Sequence, residues 1–476
     1  MNWEIVAGVE VHVELSTHTK IFCGCANAFG AEPNTLICPV CTGMPGALPV
    51  LNRQVVEYAL RAGLALDCDI ARRTAFDRKN YFYPDLPKAY QISQLHRPIC
   101  QNGGLEIETP TGSKRIGIRQ IHMEEDAGKL IHHPTQPCTL ADYNRCGVPL
   151  LEIVSRPDFT AAHEVIAYLE SLREILLFLG VSDCKMQEGS LRVDLNVSVR
   201  RKGSGEQGIP TEMKNISSFQ SVGRAMVWEG ARQIQLLESG GEVLRETRRW
   251  DDGKHQGFVL RSKGGAEDYR YLPDPDLPIL EITQEQVEQL RSTLPELPRN
   301  KRARYQREMG LSSQDARTLT TSREVAALFE KTTALCQHPQ EAVNLIVGDL
   351  ARLCTETATL PENLQVDAAK LAALIAMIRS GKINRTVGKE VLEQIFFRDA
   401  DPVVYVAQKG LAMVDDPALM EAAVRQVMEE NPKSVADYQS GKEKAFGYLV
   451  GQTMRSLKGK GDPALINGIL RELLKG

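Results

Sequence analysis

Near its start the chain reads Trp3-Glu4-Ile5-Val6-Ala7-Gly8-Val9-Glu10-Val11-His12-Val13-Glu14-Leu15. The odd-numbered positions are apolar, whereas Glu10, His12 and Glu14 occupy even-numbered ones. This period of two is typical of a β-strand with one buried face. At a rise of about 3.3 Å per residue, Glu10 and His12 would stand roughly 6–7 Å apart, close enough to share a divalent cation. A solvated sheet face explains the pattern without a cation, and this strand alone favours that simpler explanation.

The length and composition set the class of protein. A chain of 476 residues exceeds one ordinary hydrophobic core, so about two to four domains are expected. With 42% hydrophobic and 25% charged residues, it has the composition of a soluble globular protein. The formal net charge of -4 excludes a uniformly basic surface for nucleic acid. We find no signal peptide and no apolar run of membrane length, and we therefore expect a cytoplasmic protein with no membrane partner.

Four of the eleven cysteines cluster in two short pairs, Cys23 and Cys25, then Cys38 and Cys41. Two such knuckles match the ligand spacing of tetrahedral zinc. Unrelated buried thiols are the alternative, but no hydrophobic periodicity accounts for the four positions. Because thiols fill all four positions, the zinc would be structural rather than catalytic.

Residues 76–94 show neither the helical nor the strand period, and they mix aromatic residues, prolines and charges. We predict a loop that either packs on the surface or binds a ligand. In the second case the basic residues would meet a phosphate or a carboxylate and the tyrosines would wall a pocket. The candidates are Arg78, Lys79, Tyr81, Tyr83 and Lys88.

A second predicted strand, residues 115–126, places His122, Glu124 and Asp126 on one face. Acidic groups this close repel one another unless a cation or basic groups lie among them. Glu152 lies within the apolar run 149–154, where a lone buried carboxylate would be costly. A salt bridge, to Arg156 for example, and a metal ion are comparable explanations for it.

A further strand, residues 191–199, has valine and leucine on one side and polar residues on the other. We also predict helices over residues 52–67, 160–179 and 217–238. After residues 269–278, prolines mark a boundary, and the chain then reads helical, with apolar stripes over 366–379, 385–396 and 419–428. Capping-box patterns occur at residues 283–286 and 321–324. The polar face of the strand consists of Arg192, Asp194, Asn196 and Ser198.

The tail is locally basic, since residues 433–476 contain eight Lys and Arg against four Asp and Glu. Such charge suits a phosphate backbone. A solvated helix face is the alternative, and charge alone slightly favours it. The candidate residues are Lys442, Lys444, Arg455, Lys458 and Lys460.

The sequence contains no phosphate-cradling glycine loop of the known patterns and no G-x-S-x-G nucleophile motif. Any use of ATP would therefore require metal ions and basic side chains to neutralise the triphosphate.

Long segments of the chain resemble the GatB/GatE family, the B subunits of the glutamyl/aspartyl-tRNA amidotransferases. The resemblance runs nearly end to end and implies an enzyme of three subunits. One releases ammonia from glutamine and is the glutaminase. The GatB-type chain phosphorylates the side-chain carboxylate of Glu-tRNA(Gln) or Asp-tRNA(Asn) with ATP and lets ammonia attack, and the third is a small stabilising chain. The resembling segments are Gly8-Val9-Glu10-Val11-His12-Val13-Glu14-Leu15, residues 76–94, 122–129, 150–154, 188–194, 268–271 and 447–452.

The resemblance also implies a fold of α+β and all-α parts. Residues 1–292 would form a cradle-shaped, kinase-like α/β domain with a mixed or antiparallel sheet and the zinc knuckle at 23–41. Residues 293–405 would form an all-α helical domain. Residues 406–476 would form a small all-α tail domain, similar to YqeY, that contacts tRNA.

The chemistry of the resemblance explains the residue types. A carboxylate is a poor acyl donor, and phosphorylation supplies a leaving group if Mg²⁺ and basic residues neutralise the charges. The resemblance implies Mg²⁺ ligands at Glu10, His12, Glu124 and Glu152, with Asp194 a weaker candidate and Glu125 a replacement for Glu124. Lys79, Lys88 and Arg192 would contact phosphate, and Lys79 is also a catalytic candidate. The substrate- or ATP-binding set is Arg78, Tyr81, Tyr83, Lys88, Arg192, Asp194 and Asn196.

Two other functions fit the same residues. The chain could be a tRNA-binding scaffold whose acidic strands hold a structural ion, and it would then not support ATP consumption. It could also be a stand-alone ATP-dependent amide ligase acting on a small acid, although the basic tail argues against this.

Overall fold

The computed structural model describes residues 2–262, 269–413, 417–457 and 460–475. The chain divides into two compact units, with the division between Pro298 and Arg299. Lys458 of the basic tail and Asp268 lie outside the described residues.

The first unit is built on one large mixed β-sheet. The strands of the described residues, in this sheet and in three smaller ones, are β1 (Trp3–Glu14), β2 (Asp69–Ile70), β3 (Arg73–Thr74), β4 (Asp77–Asn80), β5 (Tyr90–Ser93), β6 (Cys100–Thr109), β7 (Gly112–Glu125), β8 (Lys129–His132), β9 (Thr139–Asp142), β10 (Pro149–Ser155), β11 (Leu191–Arg201), β12 (Thr211–Lys214), β13 (Glu246–Asp251), β14 (Gln256–Ser262), β15 (Leu272–Pro273) and β16 (Leu280–Glu281). The large sheet contains nine of them, in the order β14-β13-β12-β11-β1-β10-β7-β6-β2, and β12 and β13 form its parallel pair.

The predicted first strand is confirmed, and it lies at the centre of the sheet between β10 and β11. Ala7, Val9, Val11 and Val13 are almost completely buried in the main hydrophobic core. The alternate side chains face the other side, as the period of two requires. The predicted strands at β7, β10 and β11 repeat this arrangement, so the polar face of the sheet is one continuous surface.

Three helices cover the apolar face, and all three were predicted. They are α1 (Arg53–Ala65), α2 (Ala162–Leu179) and α3 (Phe219–Glu238). The Asn52 side chain accepts a 2.9 Å hydrogen bond from the Gln54 amide at the start of α1. Gly180 ends α2 in the left-handed region at φ 66°, where glycine pays no steric penalty. The helices pack on β6, β7, β11 and β1.

The prediction of a loop over residues 76–94 holds for residues 81–89 and is wrong on either side of them, because β4 and β5 pair there as an antiparallel hairpin that β15 extends. These strands are four residues long and have no continuous apolar face, so they lack a detectable period. Polar contacts stabilise them instead. Buried Asp77 accepts hydrogen bonds from the amides of Leu95 at 2.8 Å and His96 at 3.0 Å.

The rest of the chain is helical, as predicted. The Thr283 capping box is present, but the second predicted box is one residue out of register. Ser322, not Thr321, accepts from the amides of Glu324 and Val325. The α-helices of this part are α4 (Gln284–Ser292), α5 (Pro298–Met309), α6 (Ser313–Leu319), α7 (Arg323–Cys336), α8 (Pro339–Val343), α9 (Ala351–Glu356), α10 (Ala368–Arg379), α11 (Arg385–Arg398), α12 (Pro402–Gln408), α13 (Pro417–Glu430), α14 (Pro432–Gln439), α15 (Lys444–Ser456) and α16 (Pro463–Lys475). A π-helical turn (Asn344–Leu350) joins α8 to α9.

The second unit contains two separate hydrophobic cores. One is built from residues between Tyr305 and Val406, with Leu411 and Ala412 packed against it. The other is built from residues between Met420 and Leu474. Within the described ranges, no helix combines the length and the apolar character that crossing a membrane requires.

Candidate active site

The polar face of the sheet brings predicted site residues of different strands directly opposite one another. His12 of β1 pairs with Glu152 of β10, which pairs in turn with His122 of β7. On the other side of β1, Glu10 pairs with Asp194 of β11. Because a slip by one residue would turn these side chains into the core, the register that buries the valines also assembles the site.

A first cluster consists of His12, Glu124 and Glu152, whose ligand atoms all lie within 4.8 Å of one another. His12 Nε2 is 3.6 Å from Glu152 Oε2 and 3.8 Å from Glu124 Oε1. Behind them, His122 Nε2 contacts Glu152 Oε2 at 2.8 Å, and the Ser93 hydroxyl donates to Glu124 at 3.2 Å. Two carboxylates and an imidazole this close can hold one divalent cation.

The electrostatics of this cluster show strong coupling. Burial alone would lower the pKa of His12, but Glu152 and Glu124 outweigh it and raise that pKa to about 9. Burial would raise the pKa of Glu152, yet the His122 and His12 imidazoles hold it well below its ordinary value. Burial and the Glu152 carboxylate raise the pKa of Glu124. The three side chains of the cluster and His122 therefore require positive charge among them, which either bound protons or a metal cation can supply.

The alternative partner for Glu152 is excluded. The Arg156 guanidinium donates to Asn102 Oδ1 at 3.2 Å, and the described ion pairs of Glu152 are with the two histidines. Of the two explanations offered for Glu152, the salt bridge is therefore not formed with Arg156, whose guanidinium is bound to Asn102 instead.

Glu10 belongs to a second cluster, with Asp194 and Glu212, whose ligand atoms also lie within 4.8 Å of one another. The sequence interpretation had grouped Glu10 with His12, Glu124 and Glu152. Lys214 lies against this second cluster, with Nζ 2.5 Å from Asp194 and 3.0 Å from Glu212. The ammonium compensates part of the negative charge of this cluster.

Burial and the surrounding carboxylates raise the pKa of Glu10, first through burial and then through Glu152, Asp194 and Glu212. The Asn196 amide donates to Glu10 at 2.9 Å and fixes its carboxylate. Asn196, which was predicted as a substrate-binding residue, thus positions a cluster member. The Glu152 contribution also shows that the two clusters lie close enough to interact.

Glu212 was missed by the sequence reasoning. It lies on β12, a strand of only four residues, and the Thr247 hydroxyl of β13 donates to it at 2.7 Å. The alternation of Thr211-Glu212-Met213-Lys214 is the one available signal, and four residues are too few to establish a period.

Lys79 lies among aromatic rings at the edge of the first cluster. Its Nζ is 4.8 Å from the Tyr269 ring centroid and 5.7 Å from that of Tyr81, and its charge acts on Glu124. Tyr81 belongs to this aromatic wall, whereas Tyr83 is 58% exposed. The sequence reasoning did not assign a role to Tyr269.

Three of the predicted phosphate contacts are already bound to carboxylates. Arg78 donates to Asp274 at 2.8 Å and to Asp276 at 2.6 Å, which favours a structural role for this side chain. Lys88 binds Glu125, and Arg192 donates to Asp126 at 2.7 Å. Glu125 also accepts from the Ile92 amide at 2.9 Å, and Glu124, not Glu125, belongs to the cluster that could hold a metal ion.

A cavity of about 630 Å³ opens beside the second cluster. Glu10, Asn196, Arg119 and Arg245 are among its lining residues, and both arginines are exposed. Neither arginine has an ion pair with a described residue. A cavity lined by one carboxylate and by two such guanidinium groups suits a ligand that carries both metal-binding and anionic oxygens.

The four predicted zinc ligands come together, with the Sγ atoms of Cys23, Cys25, Cys38 and Cys41 within 4.8 Å of one another. The Cys38 amide donates to Cys41 Sγ at 3.2 Å. A hydrogen bond from the Cys23 thiol, against the effect of burial, lowers the pKa of Cys41 to about 5. Four convergent thiols with an acidified member fit a tetrahedral zinc ion.

The residues that flank the cysteine knuckle, residues 23–41, lie beside the polar face of the sheet. Gly43 follows the knuckle at φ 68°, and a methyl group there would lie 3.1 Å from Lys88 Cα. Nearby, the Gly147 amide donates to the Asp126 carbonyl at 3.0 Å, and the Gly147 carbonyl accepts from Ile21 at 2.9 Å. The chain on either side of the knuckle is therefore next to residues of the Lys88 and Asp126 ion pairs.

The basic tail residues differ in their surroundings. Lys442 donates to Asp437 at 2.8 Å, and Lys460 donates to the Gly410 carbonyl. Lys444 and Arg455 are exposed on α15 and have no ion pair within the part of the chain that the structure describes. These two side chains are free to meet a phosphate.

Comparisons with known proteins agree with this architecture. The family model of the GatB/GatE catalytic domain matches residues 5–288, and that of the GatB domain matches residues 327–474. The B subunit of the aspartyl/glutamyl-tRNA(Asn/Gln) amidotransferase of Lachnoclostridium phytofermentans is 55% identical over 99% of both chains. The proteins of the same name from Caldicellulosiruptor saccharolyticus and Agathobacter rectalis are 52% and 50% identical, covering 100% and 99% of this chain and 100% of their own lengths.

Proposed function

The chain belongs to the GatB/GatE family, and from this premise we propose that it is the activating subunit of a tRNA-dependent amidotransferase. It would use ATP to phosphorylate the side-chain carboxylate of Glu-tRNA(Gln) or Asp-tRNA(Asn) and would then admit ammonia to form the amide. One observation supports this proposal above the others. The register of the paired strands brings two acidic clusters together on the same face of the sheet.

The two clusters suit the charge problem of this reaction, in which an anionic carboxylate must approach an anionic phosphate. Divalent cations such as Mg²⁺, held by the two clusters, would neutralise phosphate oxygens. Of the chain's own residues, Lys79 adds positive charge beside Glu124. The aromatic wall around Lys79 would exclude water from an acyl phosphate, which water would otherwise hydrolyse.

We assign the cavity beside Glu10 to the nucleotide. Its end at the second cluster meets the requirements of a metal-bound triphosphate, and Arg119 and Arg245 supply guanidinium groups for phosphate oxygens. In this proposal the cavity binds the phosphates of ATP, which is the task of the glycine loop that the sequence lacks. Asp194 and Asn196 would act here through the second cluster, while Arg78 is left out of the binding set because its acidic partners already hold it.

The zinc proposal rests on the four convergent thiols. When bound, zinc would cross-link the loop between β1 and α1, which has little regular structure of its own. The thiols leave no position open for substrate, which supports a structural role.

We propose that the partners are a glutaminase chain, a small stabilising chain and the aminoacyl-tRNA, and that the complex acts in the cytoplasm. The exposed Lys444 and Arg455 support a tRNA contact in the tail. We retain three domains, beginning with the α/β domain to about residue 292. The separation of the two helical cores between Ala412 and Met420 favours a later second boundary than residue 405.

The test is the Glu124→Gln substitution in the complex assembled with its partner subunits. We expect ATP consumption that depends on glutamyl-tRNA to fall at least about a hundredfold, because one carboxylate ligand is lost at the site of charge neutralisation. Glutaminase activity should persist. Glu242→Gln, at an exposed loop position, is the matched control and should leave both activities unchanged.

Amidation at the normal rate in the Glu124→Gln complex would contradict the assignment of the first cluster. If the unsubstituted complex consumed no ATP in response to glutamyl-tRNA, the scaffold function would be favoured instead. If free glutamate replaced glutamyl-tRNA, the chain would be a small-acid ligase.

A further inference from the structure

Lys20 is a lysine whose side chain is completely buried, with 0% of its surface exposed. It precedes the cysteine knuckle, and its Nζ donates to the Leu36 carbonyl at 2.7 Å. The same atom is 3.8 Å from Cys41 Sγ. No carboxylate among the described residues lies within 4 Å of this ammonium.

A buried ammonium without a counterion is costly, because it loses its hydration and gains no opposite charge. Two partly buried lysines of the first unit have such a counterion, since Lys88 binds Glu125 and Lys214 binds Asp194. Lys20 is therefore an exception that needs a source of negative charge.

The groups around Lys20 indicate that the negative charge opposite its ammonium comes from the cysteine knuckle. Glu125 is already held by Lys88 and the Ile92 amide. The Cys146 thiol, another neighbour, donates its hydrogen to the Asp85 carbonyl at 3.6 Å. A Cβ atom built on Gly147 would lie 3.4 Å from Cys41 Cβ and 3.6 Å from Lys20 Cδ, so this glycine lies beside both side chains. The thiols of the knuckle are the remaining candidates.

We propose that Lys20 is the buried counterion of a zinc tetrathiolate formed by Cys23, Cys25, Cys38 and Cys41. Four thiolates and one zinc ion leave two net negative charges, and the Lys20 ammonium compensates one of them inside the protein. This inference rests on the zinc site proposed above. It assigns Lys20 a role in retaining the metal through charge, without being a ligand.

The first test compares zinc retention in Lys20→Met and Lys20→Gln variants of the full chain. Methionine keeps the length without the charge, while glutamine keeps a hydrogen-bond donor without the charge. We expect zinc release to a chromophoric chelator to be about 10–100-fold faster in both variants, which is the usual effect of removing a group that supports metal ligands. Lys202→Met, in an exposed turn, is the control and should release zinc at the normal rate.

The second test uses the unsubstituted chain, so it stands even if the variants do not fold. Lysine acetylation read by mass spectrometry is compared in the zinc-loaded chain and after chelation. We expect Lys20 to be protected with zinc and to become reactive without it, because the ammonium then lacks its counterion. Equal protection of Lys20 in the two states would overturn the proposal.

The outcomes separate this inference from the zinc site itself. If the unsubstituted chain, purified without chelators and then supplied with zinc, binds no zinc, the site is wrong and Lys20 loses its role with it. If the unsubstituted chain holds zinc and the two folded variants release it at the same rate, only the role of Lys20 is overturned.

Discussion

At the scale of single residues, Glu164 replaces a helix cap that the sequence lacks. Residue 161 precedes α2, and an alanine there has no side-chain acceptor. Glu164 Oε2 instead accepts from the amides of Thr160 at 2.8 Å and Ala161 at 3.3 Å, and Lys114 donates to Oε1 at 2.8 Å. Burial alone would raise the pKa of Glu164, but the bonds from Lys114 and Thr160 outweigh it and lower the pKa.

We expect Glu164→Gln to reduce the free energy of unfolding by about 1 kcal/mol at neutral pH, through loss of a charged acceptor at a helix start. A lowered pKa means that the carboxylate stabilises the fold above its unfolded pKa of about 4.3 and loses this effect as the pH falls through the folded value. The difference between wild type and variant should therefore vanish in acid. Urea unfolding followed by tryptophan fluorescence measures it, because all three tryptophans are in the first unit.

Glu170→Gln on the same helix is the control, since its side chain is exposed. Its effect should stay within about 0.5 kcal/mol at every pH. A Glu164→Gln difference that did not change with pH would contradict the role of the charge.

At the scale of elements, the β4–β5 hairpin depends on ion pairs to a distant segment. Arg78 of β4 binds Asp274, whose side chain is completely buried, and Asp276. These contacts hold the segment that carries Tyr269 and Tyr271 beside the first cluster.

We expect Arg78→Met to destabilise the first unit by about 3 kcal/mol, because it leaves the buried Asp274 carboxylate without its counterion. Arg73→Met is the matched control. Arg73 pairs with Glu281 at 3.5 Å, but both side chains are mostly exposed, so its loss should cost less than about 1 kcal/mol. Denaturant unfolding measures the free energy of unfolding of both variants. Similar decreases in the two would show that buried Asp274 does not need Arg78 as its counterion.

The elements that could be predicted from the sequence are those with one continuous buried face. β1, β11 and the three helices have enough residues to show a period, and their polar residues were predicted on one surface. The hairpin could not be predicted because its strands are too short. Glu212 could not be placed either, since β12 pairs with β13 only after the chain has passed through α3. Such a non-local pairing has no local sequence signal.

At the scale of the whole molecule, two of the candidate basic residues of the tail, Lys444 and Arg455, have no ion pair with a described residue and could meet a long anionic partner. Lys444 and Arg455 are eleven residues apart on α15, which is close to three helical turns, so they share one side of the helix. Lys442 and Lys460 are held by contacts within the second unit and contribute less.

We expect the double variant Lys444→Ala and Arg455→Ala to bind tRNA more weakly and to reduce the slope of log affinity against log salt by about one to two, one for each lost phosphate contact. Titration at several salt concentrations measures both quantities. Arg425→Ala on α13 is the control, because Arg425 is already paired with Glu421. An unchanged slope in the double variant would place the tRNA contact elsewhere.

The central position of β1 has a consequence for synthesis on the ribosome. β1 is translated well before its two neighbours in the sheet, β10 (Pro149–Ser155) and β11 (Leu191–Arg201). Until then, the valine-rich side and both hydrogen-bonding edges of the nascent strand have no permanent partner. The topology therefore creates an interval during synthesis in which this strand is open to pairing with the wrong partner.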